Sequence, residues 1–135
     1  MSRRMTRRQA RKWLQPMRAC FRYMLRTGDA YCIDGRPVWP AVVNGATRWE
    51  RVDFCIAGFM GLINRLFPTL DTYPLWNLRA RLDVQLPLTV QSIAAGLSVL
   101  NLVEDGLVRL TVAEVQSARV TEEIKIELDA MREEA

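Results

Sequence analysis

Residues Thr6 to Arg26 read TRRQARKWLQPMRACFRYMLR. Trp13, Leu14, Met17, Cys20, Phe21, Met24 and Leu25 recur there at the spacing of one helix face. At roughly 100° per residue, Arg4, Arg8, Arg11, Arg18, Arg22 and Arg26 fall on the opposite side. The stretch therefore predicts a helix that packs by its apolar stripe and shows a row of Arg outward. Pro16 cannot donate to the carbonyl four residues back. The expectation is a kinked helix, or a loose arm joined to a helix starting near Pro16. Residues 1–12 are read as a basic N-terminal arm with freedom to move, within a single domain of residues 1–135. Gly28 is placed to cap the helix end.

Outward from this helix, the chain reads as mostly α: four or five packed helices and one short β-hairpin. Asp34-Gly35, between Ala30–Ile33 and Val38–Trp39, has the chemistry of a tight hairpin turn. Asn44-Gly45 is a second turn signal after Ala41–Val43. Pro37 and Pro40 cannot donate to a ladder, which predicts an edge position. Thr47-Arg48-Trp49-Glu50 has the pattern of a capping box. It heads a helix whose apolar positions run from Val52 to Phe67. Gly58 and Gly61 inside that helix predict a close contact with a neighbour.

Pro74 can open a short helix holding Leu75, Leu78 and Leu82. Thr89 caps another, with Val90, Ile93, Ala94, Leu97 and Leu100 inward and Asp105-Gly106 at its end. Thr111 and Glu114 form a capping box for a long last helix. Its inward side is read as Ala113, Ser117, Val120, Ile124, Leu128 and Met131.

Charge is distributed in blocks. The first 28 residues hold nine basic groups and no acid, and the last 32 hold nine acids and four bases. The formal net charge of +4 hides this split. Such blocks mark a face for nucleic acid or a charged partner. Seventeen of the nineteen basic residues are Arg, whose planar fork suits phosphate and carboxylate, although a GC-rich genome also favours Arg.

Several classes are disfavoured. Histidine is absent, which removes the commonest general base and zinc ligand. Neighbouring acids such as Glu104-Asp105, Glu122-Glu123 and Glu133-Glu134 splay apart on a helix rather than converge for acid–base chemistry. The chain is read as not an enzyme, with no cofactor and no metal. Cys20, Cys32 and Cys55 are three, an odd number without close spacing. They predict core thiols rather than a disulfide framework, and a cytoplasmic setting. The longest apolar stretch, Phe54 to Ile63, is too short to span a membrane.

Ala94-Ala95-Gly96-Leu97-Ser98 resembles the turn of a helix-turn-helix. Leu102 to Leu110 resembles the helix-to-wing junction of winged helix-turn-helix regulators. Together they cover about seventeen residues. The resemblance implies a DNA-reading helix over Val99 to Asp105. That segment is barely two turns long, and neither Lys nor Arg occurs between Arg81 and Arg109.

The leading expectation is a non-catalytic protein that contacts nucleic acid or a nucleoprotein complex through Arg3, Arg4, Arg7, Arg8, Arg11, Lys12, Arg18, Arg22 and Arg26. Specific base reading is not indicated. The alternative is a phage or mobile-element inhibitor or adaptor, anti-CRISPR-like in character, that binds a host protein complex through Trp76 and Tyr73. In that case the basic helix pairs with the acidic C-terminal helix, within the fold or in a homodimer. A plain solvated Arg face and an anionic membrane surface are the remaining readings. Contact with a polyanion requires free guanidinium groups, so carboxylates from the tail end would cancel it.

Overall fold

The first helix of the computed structural model, α1 (Arg7–Thr27), begins where Thr6 can cap it. The Thr6 hydroxyl accepts from the Gln9 amide at 3.1 Å, and the Gln9 side chain accepts from the Thr6 amide at 2.8 Å. The structure is described for residues 3–28, 32–33, 36–43, 46–83 and 86–134. α1 does not start near Pro16. It runs through it, and Arg7 to Lys12, assigned to an arm, are its first turns. Gly28 ends the helix at φ 72°, a left-handed conformation that costs a glycine little. Ala10, Leu14, Met17, Cys20, Phe21 and Met24 are buried, so the apolar stripe packs as its spacing requires. Leu25, the last expected member, is exposed.

Cys20 lies in this core as a free thiol, and burial pushes its pKa up to about 12. The side chains of Cys32 and Cys55 lie outside the described set.

The backbone between Cys32 and Arg51 corrects the sequence reading. β1 (Cys32–Ile33), β2 (Arg36–Val43) and β3 (Ala46–Arg51) run antiparallel in that order. The single hairpin expected at Asp34-Gly35 is not seen as an isolated edge unit. The longer pairing joins β2 to β3, from Val38 opposite Arg51 to Val43 opposite Ala46. Asp34, Gly35, Asn44 and Gly45 lie outside the described residues. Thr47-Arg48-Trp49-Glu50 caps nothing, because these residues belong to β3, and α2 (Val52–Leu66) starts beyond it. Pairing with β2 holds these residues in extended backbone, which excludes the helical turn a capping box needs. Pro37 and Pro40 stand in the middle strand rather than an edge. Among the described residues, β1 reaches only Arg36 and Pro37, and β3 only Val38 to Val43, so none of β2 is paired on both sides. That leaves each proline a side without a ladder.

Three further helices complete a mostly helical architecture: α3 (Tyr73–Asp83), α4 (Val90–Leu107) and α5 (Val112–Glu134). Thr89 caps α4 in exchange with Ser92, and Thr111 caps α5 in exchange with Glu114. The core joins the stripe of α1 to Met60 and Ile63 of α2, Leu75 and Leu78 of α3, and Ile93, Leu100 and Leu107 of α4. Ala94 to Ser98 sit inside the unbroken helix α4, so the helix-turn-helix turn does not form. Residues ahead of α1 dock on the α4–α5 connection. Met5 donates to Leu110, and Val112 donates to the Arg3 carbonyl, each at 2.9 Å. The second bond satisfies one of the free amides at the start of α5.

The long last helix packs on its other side. Val115, Ala118 and Glu122 are buried, whereas Val120, Ile124, Leu128 and Met131 are exposed. The cause is a close approach to α2. A Cβ on Gly61 would stand 2.7 Å from Glu122 Oε2. The Glu122 carboxylate fills that notch and takes Arg65 of α2 at 2.9 Å. The close contact inferred from Gly61 is there; its partner is a carboxylate.

Gly96 marks a close crossing inside the core. A Cβ there would lie 2.7 Å from Leu78 Cδ1 and 3.4 Å from the Phe21 ring, and both side chains are fully buried. Helix propensity alone favours Ala over Gly by about 1 kcal/mol. The crossing reverses the sign: Gly96→Ala is expected to destabilise by about 1–3 kcal/mol through overpacking. Urea unfolding followed by circular dichroism measures it, and a more stable variant would show that the crossing is slack.

Candidate functional site

α1 and α4 run antiparallel, so the start of α1 meets the end of α4. Neither terminus has the charge its helix dipole prefers. The first turn of α1 holds no acid, and the last turn of α4 holds no base. Contact supplies both. Arg7 Nη1 donates to Glu104 Oε2 at 2.9 Å and to Asp105 Oδ1 at 2.7 Å. Arg18 Nη1 donates to Glu104 Oε1 at 2.6 Å, and Arg18 Nη2 to Asn101 Oδ1 at 2.9 Å. Arg11 Nε stands 3.7 Å from Glu104 Oε1. Glu104 is thus a buried carboxylate enclosed by three guanidinium groups.

Burial raises the proton affinity of Glu104. Hydrogen bonds from Arg18 and Arg7, with the charges of Arg18 and Arg11, outweigh burial and hold its pKa below the ordinary carboxylate range.

Beside this cluster an open groove of about 710 Å³ runs along α1. Its α1 wall carries Arg8, Arg11, Lys12, Gln15, Arg18 and Arg22. Asn101 and Glu104 form the α4 side. Arg8, Lys12 and Arg22 are exposed and, among the described residues, have no hydrogen-bond or ion-pair partner. From Arg8 to Arg22 the helix rises about 21 Å at 1.5 Å per residue.

The nine expected cations divide into groups. Arg7 and Arg18 are engaged by carboxylates of α4. Arg11 reaches Glu104 only at 3.7 Å and its side chain keeps 68% of its exposure. Arg8, Lys12 and Arg22 line the groove. Arg3 and Arg4 are exposed in the segment docked on the α4–α5 connection. Arg26 lies over the Tyr23 ring at 5.5 Å, beyond the groove residues. The acids that meet α1 are Glu104 and Asp105, which open the C-terminal acidic block but sit on α4. Three acids of the tail helix are used elsewhere: Glu114 caps α5, Glu122 holds Arg65, and Glu123 stands 3.7 Å from Arg119. Within the fold, the basic helix therefore pairs with the end of α4 rather than with the C-terminal helix.

Tyr73 and Trp76, the expected protein-binding residues, are 67% and 42% exposed on the first turns of α3, and the Arg79 guanidinium lies 5.5 Å from the Trp76 ring. Among the described residues, no cluster of three or more potential metal ligands occurs, and no helix is long and apolar enough to cross a membrane. Sequence reasoning missed Glu104, Asp105, Asn101 and Gln15 as site residues. Glu104-Asp105 carried a signal, as two acids at the end of a helix without a basic last turn.

A depressed carboxylate stabilises the fold above its unfolded pKa and loses that contribution as pH falls through the folded one. Stability from Glu104 is complete above the ordinary range near about pH 4.3 and is lost below it. Glu104→Gln is expected to cost about 1.5–3 kcal/mol at neutral pH and to flatten the acid limb of the stability profile. Urea unfolding across pH tests both expectations, and an unchanged acid limb would show that Glu104 does not bear the load. No family model, curated protein or solved structure matches this chain.

Proposed function

We propose that this protein is a non-catalytic binder of nucleic acid or of a nucleoprotein complex, held by phosphate contacts along α1. The observation that carries it is the row of unengaged cations Arg8, Lys12 and Arg22 on one open groove, with Arg11 largely exposed between them. Phosphate esters are closely spaced anions, and each one neutralised by Lys or Arg releases condensed counterions. A rigid helix that faces its own core on one side and a polyanion on the other suits such contacts. Glu104 and Asp105 serve this role indirectly, because they fix Arg7 and Arg18 and so hold the helix in place. Side chains that read base edges are not indicated, and affinity is expected to be independent of sequence.

Duplex DNA binding should weaken with salt at a log–log slope of about −0.9 per neutralised phosphate. Arg8→Ala, Lys12→Ala and Arg22→Ala combined should flatten that slope by about three such increments while leaving the unfolding midpoint unchanged. Fluorescence anisotropy over a salt series measures it; binding that ignores salt, or a slope the triple variant does not change, overturns the proposal.

A second reading is favoured by one observation. Tyr73 and Trp76 are exposed side by side on α3, and Tyr and Trp are frequent interface anchors. A protein-directed inhibitor or adaptor, of the kind phages and mobile elements use against host complexes, would bind there. Its capture of one host protein should survive nuclease and be lost in Trp76→Ala, whereas nucleic-acid binding should tolerate that change.

A further inference from the structure

We infer that the outward face of α5 is a self-pairing surface, joining two copies of this chain through parallel C-terminal helices. Val120, Ile124, Leu128 and Met131 are 49%, 52%, 50% and 64% exposed. They form one stripe about 150° around the helix from Val115, Ala118 and Glu122, by which α5 packs on α2. Single exposed apolar residues are ordinary. Four of them in line over three turns mark a helix with a second contact face. This stripe is the most apolar face of α5, and the fold turns it away from the core because the Gly61 notch accepts Glu122 instead.

Charge beside the stripe identifies the occupant. Glu127 flanks it on one side, and Lys125 and Arg132 flank it on the other. All three are exposed and have no partner among the described residues. When two copies of a helix pair about a two-fold axis parallel to them, opposite flanks meet. The acidic flank of each copy then faces the basic flank of the other. Antiparallel pairing brings like flanks together and sets Glu127 against acid. Parallel pairing is therefore selected. Its register follows a heptad pattern with Ile124, Leu128 and Met131 in the seam. Glu127 of one copy then faces Arg132 of the other, five positions on, where flanking charges of a parallel seam meet. Lys125 takes the same flank one heptad earlier, beside Val120. This stripe is short compared with the roughly three to four heptads that sustain a coiled coil, so the dimer is weak and depends on concentration.

The test uses the full chain. Sedimentation equilibrium from micromolar to near-millimolar concentration should show a reversible monomer–dimer equilibrium. Leu128→Glu should abolish the dimer and leave the thermal midpoint of the dilute chain unchanged, because Leu128 is outside the core. Glu127→Lys should also dissociate it, and adding Lys125→Glu and Arg132→Glu should restore it. Met131→Cys should form a self-crosslinked dimer under mild oxidation, above the wild-type background, because a parallel two-fold brings that position to its own copy. A chain monomeric throughout, a dimer that survives Leu128→Glu, or a dimer whose Met131→Cys variant does not crosslink overturns the inference.

Discussion

The carboxylate of Glu104 is the point on which the arrangement of α1 and α4 turns. Each helix has a mismatched end: α1 begins with Arg7 and Arg8, and α4 finishes with Glu104 and Asp105. Taken alone, both sets of charges oppose the helix dipole. Packed antiparallel, each end supplies what the other lacks. Hydrogen bonds of 2.9 and 2.6 Å from Arg7 and Arg18 hold Glu104 ionised despite its burial. Removing one member of a buried, charged set leaves the others unsatisfied, and this makes the set cooperative. The apolar contact of Phe21 with the Gly96 crossing fixes the same pair of helices at its other end.

This clamp sorts the cations of α1. Those facing α4 are spent on the fold. Those one step further round the helix, Arg8, Lys12 and Arg22, remain available and line a groove whose far wall is α4. A helix rotation of about 80° would bring the second group to where the first now stands. The rotation is set by burial of Leu14, Met17, Phe21 and Met24, so the apolar stripe decides indirectly which charges meet solvent.

The opposite balance governs α5. Its most apolar face is outside, and a carboxylate faces inward. Gly61 leaves a notch in α2 that accepts Glu122, and Arg65 neutralises it. A satisfied ion pair with close helix approach thus takes the place that the alternation of Val120, Ile124 and Leu128 reserved for apolar packing. The displaced stripe retains its hydrophobic surface, and the charges beside it are arranged with opposite signs on opposite flanks.

The sequence determined what local chemistry controls. The stripe of α1, the Gly28 cap, the caps at Thr89 and Thr111 and the short helix after Pro74 depend on residues within a few positions of one another. Capping and periodicity are interactions of that range, so they were legible. The Thr47–Glu50 spacing was not decisive, because the same residues fit a strand once β2 lies beside them, and only that pairing makes the difference. Which arginines are free, and which face of α5 is buried, depend on Glu104 and Gly61, far along the chain from the groups they engage. A single sequence shows that a charge or a notch exists. Only the tertiary structure brings the distant partner to it, because electrostatic and close-packing energies are settled by separation in space.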